Sequence, residues 1–153
     1  FRLVIVGEAS QGEEGYAAAI HAKAAGLDLG NRVHFAGYRA DVPAVMSAFD
    51  LFAFPSHAES FGVVLIEAMA MRRAVVATNC GGPRDLVNDL CGILVPKQNP
   101  AALAEALLKM GANFSSYSPQ AIREHCVQNF GHKAVTARIG ELYQSVFNAK
   151  GTP

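Results

Sequence analysis

The sequence predicts an α/β domain of the doubly wound kind, with about five parallel strands followed by a tail made only of helices. Three observations predict it. Short β-branched runs alternate with longer apolar segments at helical spacing, as in chained βαβ units. The runs are almost wholly apolar, as suits strands covered on both faces. From Pro100 onward only the helical pattern continues. At 153 residues and 51% hydrophobic content the chain has enough apolar material for one substantial core and not for two, so residues 1–153 read as one domain.

In chain order the strands are expected at Leu3 to Val6, Arg32 to Ala36, Leu51 to Phe54, Ala74 to Thr78 and Gly92 to Val95. Helices are expected between them at Glu13 to Ala25, Val42 to Phe49, Phe61 to Met71 and Pro83 to Asn88, with Asp41 capping the second. The tail contributes Pro100 to Met110, Pro119 to Phe130 and Lys133 to Asn148, with the polar stretch Asn113 to Ser118 as a break. Its apolar positions Ile122, Val127, Ile139, Leu142, Tyr143 and Val146 read as core-facing, or as covered by a domain outside this chain. Because the chain opens directly on a strand, we expect a piece of something larger.

Thirteen basic side chains balance thirteen acidic ones, so no global field draws the protein to nucleic acid or to an anionic membrane, and an anionic ligand must be held locally. Cys80, Cys91 and Cys126 are too far apart for a C-x-x-C pattern, which suits a reducing cytoplasm. No apolar run reaches membrane-span length, and no cluster of metal-ligating side chains stands out. Ligands of open parallel sheets bind outside the carboxyl ends of the strands, so the loops starting at Gly7, Gly37, Pro55 and Asn79 are where a site is expected.

The most informative of these loops reads Pro55-Ser56-His57-Ala58-Glu59-Ser60-Phe61-Gly62-Val63-Val64-Leu65-Ile66-Glu67-Ala68-Met69-Ala70. Ser60 is a good N-cap, which would aim the free amides of Phe61, Gly62 and Val63 at an anion, with Gly62 leaving room for a phosphate. Glu67 is the lone charge on an otherwise apolar helix, so a buried position would require hydrogen-bond donors, such as ribose hydroxyls. Ser60 and Glu67 would share one stripe about 10 Å apart along the axis. Glu59 would face outward, toward whatever the phosphate carries.

Glu59 and Glu67, followed by Ala68-Met69-Ala70, the strand Val75-Val76-Ala77-Thr78 and Gly81-Gly82-Pro83-Arg84-Asp85, resemble the E-x7-E signature of glycosyltransferase family 4, the group 1 enzymes. Leu3 to Gly7, Phe35 to Pro43, Ala48 to Ser56 and Gly92 to Pro96 resemble the same pattern in the same order. The resemblance covers residue 1 to about Met110 and implies the C-terminal, Rossmann-like, donor-binding half of a GT-B fold. It implies a retaining transferase in which Glu67 binds the ribose and Glu59 the transferred sugar, either as a nucleophile or, the reading favoured here, by stabilising an oxocarbenium-like state. Phe61, Gly62 and Val63 would donate main-chain hydrogen bonds to the diphosphate, and Gly37 and Tyr38 would lie beside the base. Gly7, His57, Gly81 and Gly82 are secondary candidates. For the glycine pair the need for a tight turn is a sufficient reason.

By the same resemblance the nucleotide-sugar, expected to be a UDP-sugar, is a substrate, and no cofactor or metal is implied. The partners would be an N-terminal acceptor domain and a glycan or lipid-linked acceptor for bacterial lipopolysaccharide, O-antigen or capsule, with peripheral attachment at the inner face of the plasma membrane through that other domain. The family's basic pair would precede Leu3, so this chain alone is expected to bind donor weakly and not to catalyse transfer. Two departures stand out. Arg72-Arg73-Ala74 replaces the usual glycine and proline after the Glu67 helix, where a left-handed Arg72 would cost about 1 kcal/mol, and Asp85 replaces a glutamate. The loop Gly7-Glu8-Ala9-Ser10-Gln11-Gly12 lacks the G-x-G-x-x-G of dinucleotide-binding dehydrogenases, and a lone Glu8 lacks the acid cluster of a signalling receiver. A non-catalytic module that keeps the fold is the alternative.

Overall fold

A computed structural model describes residues 1–149. The chain divides into two compact units, one of residues 1–42 and a second that starts at Pro43. The first holds β1 (Leu3–Ile5), α1 (Glu14–Gly26), a 3-10 turn at Gly30–Arg32 and β2 (Val33–Phe35). At the boundary α2 (Val42–Ser47) begins. It is followed by β3 (Leu51–Phe54), α3 (Val63–Ala70), β4 (Ala74–Asn79), α4 (Pro83–Leu86), β5 (Gly92–Pro96), α5 (Pro100–Ala112), α6 (Pro119–Phe130) and α7 (His132–Ala149).

The α/β class and the parallel pairing agree with the sequence reading, but the strands form two ladders rather than one sheet. In the first unit β1 pairs with β2 in register Leu3↔Val33, Val4↔His34 and Ile5↔Phe35. In the second unit the order is β3-β4-β5, with β4 central. Coverage differs accordingly. Ala74, Val75, Val76 and Ala77 of β4 are fully buried, as an apolar central strand should be, whereas Leu3 and Val4 of β1 are exposed. Two strands and one helix cover one face at most. There the His21 ring of α1 stacks on Phe35 at 3.8 Å between centroids.

The core of the second unit gathers around β4. Met46 comes from α2, Leu65, Ala68 and Met69 from α3, Leu86 from α4, Ala106 and Met110 from α5, and Ile122 and Cys126 from α6. Helix α6 also holds α3 by polar contacts: the Arg123 guanidinium donates to Ala70 O, and the Cys126 thiol to Ile66 O at 3.4 Å. Asn99 caps α5 by accepting from the Ala102 amide at 3.0 Å, and Ser118 caps α6.

Three expectations are corrected here. Asp41 does not cap α2: both its carboxylate oxygens are taken by the Arg39 guanidinium at 2.7 and 2.6 Å, which holds the Asp41 carboxyl below its ordinary range. Of the tail's apolar positions Ile122 is buried, but Val127 and the α7 side chains Ile139, Leu142, Tyr143 and Val146 are exposed, so they are not core. Helix α3 starts at Val63, two residues later than the apolar run suggests, because Gly62 sits in the left-handed region at φ 101° and breaks the helical path.

Candidate functional site

The strand-end loops of each unit are built separately. In the first, the Gly7 amide donates to Gly37 O at 2.9 Å, tying the end of β1 to the end of β2. Both glycines have positive φ, 128° and 64°, which explains the residue type without a ligand. Glu8, which the sequence reading used only to exclude a receiver, accepts the Tyr38 amide at 3.3 Å and lies beside Gly37. Tyr38 itself projects, 71% exposed.

In the second unit the loop between β3 and α3 lies against the end of β4. Glu59 and Gly81 form a parallel bridge: the Glu59 amide donates to Cys80 O at 3.3 Å, and the Gly82 amide to Glu59 O at 2.8 Å. This approach is closed to any side chain. A Cβ on Gly81 would stand 2.4 Å from Glu59 O, and one on Gly82 2.3 Å from Phe61 O. The Gly81–Gly82 pair is therefore explained by backbone contact with the loop that carries Glu59.

Glu59 is half-buried, and its carboxylate turns back to accept the Phe61 amide at 3.1 Å. The Phe61 amide is thus engaged in this structure. Ser60 is exposed and is not the N-cap; Gly62 is. The reason for a glycine there is also different from the one expected, because beyond its left-handed φ a Cβ would press on Leu65 and Leu86 at 3.2 Å. The amides that precede the first α-helical hydrogen bond are those of Val63 and Val64, while Leu65 N–H already closes a turn onto Gly62 O at 2.9 Å.

Glu67 is exposed, with no side-chain hydrogen bond among the described residues, so the expected burial cost does not arise. It stands one turn below Val63, about 6 Å along the axis rather than the 10 Å expected from a helix capped at Ser60. Val63 and Glu67 thus form an exposed stripe, while Leu65, Ala68 and Met69 face the core. His57 is exposed in the same loop, and its ring makes no hydrogen bond among the described residues.

Thr78 went unnoticed in the sequence because threonine is a common strand residue. It is buried, and its hydroxyl reaches Ser56 O at 2.5 Å. Open clefts of about 430 and 490 Å³ lie against α1 and β2 in the first unit and around β5, Lys109 and Tyr117 in the second, and none of the candidate residues of these loops lines either. Among the described residues no group of His, Cys, Asp and Glu is placed to hold a metal, and no helix is long and apolar enough to cross a membrane.

The family described as Glycosyl transferases group 1 matches residues 1–113. The D-inositol 3-phosphate glycosyltransferase of Salinispora arenicola is 35% identical over 114 residues, covering 72% of this chain and 25% of that protein. The lipopolysaccharide core biosynthesis glycosyltransferase LpsE of Rhizobium meliloti is 31% identical over 129 residues, covering 82% and 38%. The crystal structure of Anabaena HepE in complex with UDP superposes with a TM-score of 0.86 at 32% identity, covering 94% of this chain and 41% of that one. The chain therefore spans about a quarter to two fifths of the length of these proteins. With its α/β fold, its parallel ladders and a match over most of its length, the chain belongs to the group 1 glycosyl transferases.

Proposed function

We propose that this chain is the donor-binding part of a retaining glycosyltransferase that moves a sugar from a UDP-sugar to a glycan or lipid-linked acceptor in bacterial surface polysaccharide synthesis. What supports the reading is the exposed stripe of α3: two main-chain donors at Val63 and Val64, Glu67 one turn below them, and Glu59 held at the mouth by the end of β4. HepE, solved with UDP and with UDP-glucose, supports the choice of base.

In this reading the diphosphate docks on the head of α3, where the amides and the helix dipole favour an anion. Glu67 accepts the ribose hydroxyls. His57 and Ser60 are peripheral contacts. As the bond between the sugar C1 and the diphosphate oxygen breaks, negative charge grows on the diphosphate and positive charge on C1. The amides meet the first, and the Glu59 carboxylate, released from the Phe61 amide, faces the second. That release frees Phe61 N–H, which with Gly62 N–H extends the Val63 and Val64 donors toward the diphosphate. The nucleotide-sugar is consumed as substrate, without a further cofactor. The acceptor is held by a separate domain, and the enzyme works in the cytoplasm, peripherally at the inner face of the plasma membrane.

The test is titration of the chain with UDP, GDP, ADP and their glucose conjugates, followed by amide NMR. Shifts are expected to cluster from Phe61 to Glu67 and to be largest with UDP. Glu67→Ala removes charged hydrogen bonds worth about 1.5–3 kcal/mol, a loss of roughly ten- to a hundredfold in affinity. Shifts confined to other loops, or unchanged affinity in Glu67→Ala, would sink the reading.

A further inference from the structure

Thr78 is a buried polar side chain near the end of the central strand, after the apolar run Ala74 to Ala77 and before the exposed Asn79. The β3–β4 ladder stops at Phe54↔Ala77. One residue further, the Thr78 hydroxyl takes over from the backbone. Its proton goes to Ser56 O at 2.5 Å, with Phe54 O at 3.3 Å and the Cys80 sulfur at 3.5 Å alongside. The next attachment between the loop and β4's end is the bridge at Glu59, whose amide and carbonyl are held by Cys80 O and the Gly82 amide. Residues 57 and 58 are the only ones between the two attachments, and the Ser56 hydroxyl donating to Ala58 O at 3.0 Å stiffens that short span. The glycine pair permits the second attachment, since a Cβ at either position would overlap the loop backbone. A valine would fill the same space as Thr78 but would leave Ser56 O without its donor and let the start of the loop lift from the strand.

We propose that Thr78 is a positioning residue for Glu59: its hydroxyl fixes the near end of the loop, so that the glycine-permitted bridge sets the height of Glu59 at the mouth. This rests on the function proposed above, in which Glu59 faces the sugar carbon and Glu67 holds the nucleotide. Thr78 serves the first role and not the second, because Glu67 and the head of α3 lie beyond the bridge and are held by core packing of Leu65, Ala68 and Met69.

The test uses the full-length enzyme, with UDP release from a panel of UDP-sugars as the rate and UDP titration as the affinity. Thr78→Val is expected to lower kcat at least tenfold while the UDP Kd stays within about threefold, and Thr78→Ser, which keeps the hydroxyl, is expected to restore most of kcat. Wild-type kcat in Thr78→Val overturns the proposal. So does a parallel loss of kcat and UDP affinity, which marks a merely structural residue, and so does a Thr78→Ser variant as slow as Thr78→Val. If Thr78→Val does not fold, Thr78→Ala is read the same way, and failure of both to fold also overturns it. A wild-type enzyme silent toward every nucleotide-sugar sinks the functional reading itself, an outcome distinct from an active enzyme indifferent to Thr78.

Discussion

Replacing Arg72 with glycine should stabilise the chain, and the structure gives the size of the effect. Helix α3 ends in a Schellman motif: the Arg72 amide donates to Met69 O and the Arg73 amide to Ala68 O, both at 2.9 Å. The geometry requires a left-handed residue, and Arg72 has φ 65°. A side chain in that region costs about 1–2 kcal/mol, which glycine avoids, while glycine's freer unfolded chain returns about 0.4–1 kcal/mol. The net expectation is a gain of about 0.5–1 kcal/mol. Removing a cation near a helix C-terminus acts the other way by a few tenths, so the comparison that isolates the backbone is Arg72→Gly against Arg72→Ala. Both variants lose the charge, but only alanine keeps the strain. Urea unfolding followed by far-UV circular dichroism should place Arg72→Gly above Arg72→Ala by about 1 kcal/mol, with unchanged m-values. Equal midpoints would refute the reasoning and mean that the turn opens at no cost.

Two further outcomes follow from local geometry. Asn99→Ala removes the side-chain acceptor for the Ala102 amide and should cost about 1 kcal/mol in urea unfolding, whereas Asn99→Asp, which still accepts, should cost little. Burial pushes the Cys91 and Cys126 thiols up, so the folded chain keeps them protonated where an unfolded chain ionises. Stability is then undiminished below the ordinary thiol range of about 8.5 and falls as pH climbs above it, and a thiol reagent should label the partly exposed Cys80 well before the other two. A stability profile flat through pH 10, or simultaneous labelling of all three cysteines, would contradict this.

The strands were the most legible part of the sequence. Leu51 to Phe54 is the observed β3, and β4 and β5 each run one residue beyond the expected end, because a short apolar run between turn residues has few other folds open to it. Pairing was less legible: parallel strands are implied by alternation with helices, but nothing in Leu3 to Ile5 says which edge stays open, and the result is two ladders. The exposed stripe of α7 has the same spacing as a core stripe, and periodicity alone cannot separate the two. At the candidate site, the motif singles out Glu59, Glu67 and the glycine pair, but their surroundings were not legible in it. The N-cap moved from Ser60 to Gly62 because left-handed glycine and a serine cap compete for the same helix start, and only the backbone decides between them.

That shift changes what determines the site. With Ser60 as cap, the loop's geometry would belong to α3, and Glu59 would float one residue outside it. With Gly62 as cap and Glu59 bridged to Gly81, the position of Glu59 is instead inherited from β4, the most deeply buried strand of the second unit. Glu67 is inherited from α3, whose inner face packs in the core and whose end is held by Arg123. The two acids therefore hang from different elements. A perturbation at the β4 end should move Glu59 and leave Glu67 in place, and one at the α3–α6 contact should do the reverse. Arg123→Ala, which frees Ala70 O, should accordingly weaken UDP binding before it slows turnover of bound donor, the opposite order to Thr78→Val. If both substitutions moved affinity and rate together, the loop and the helix would be one mechanical unit, and the separate inheritance argued from the Gly62 cap would be wrong.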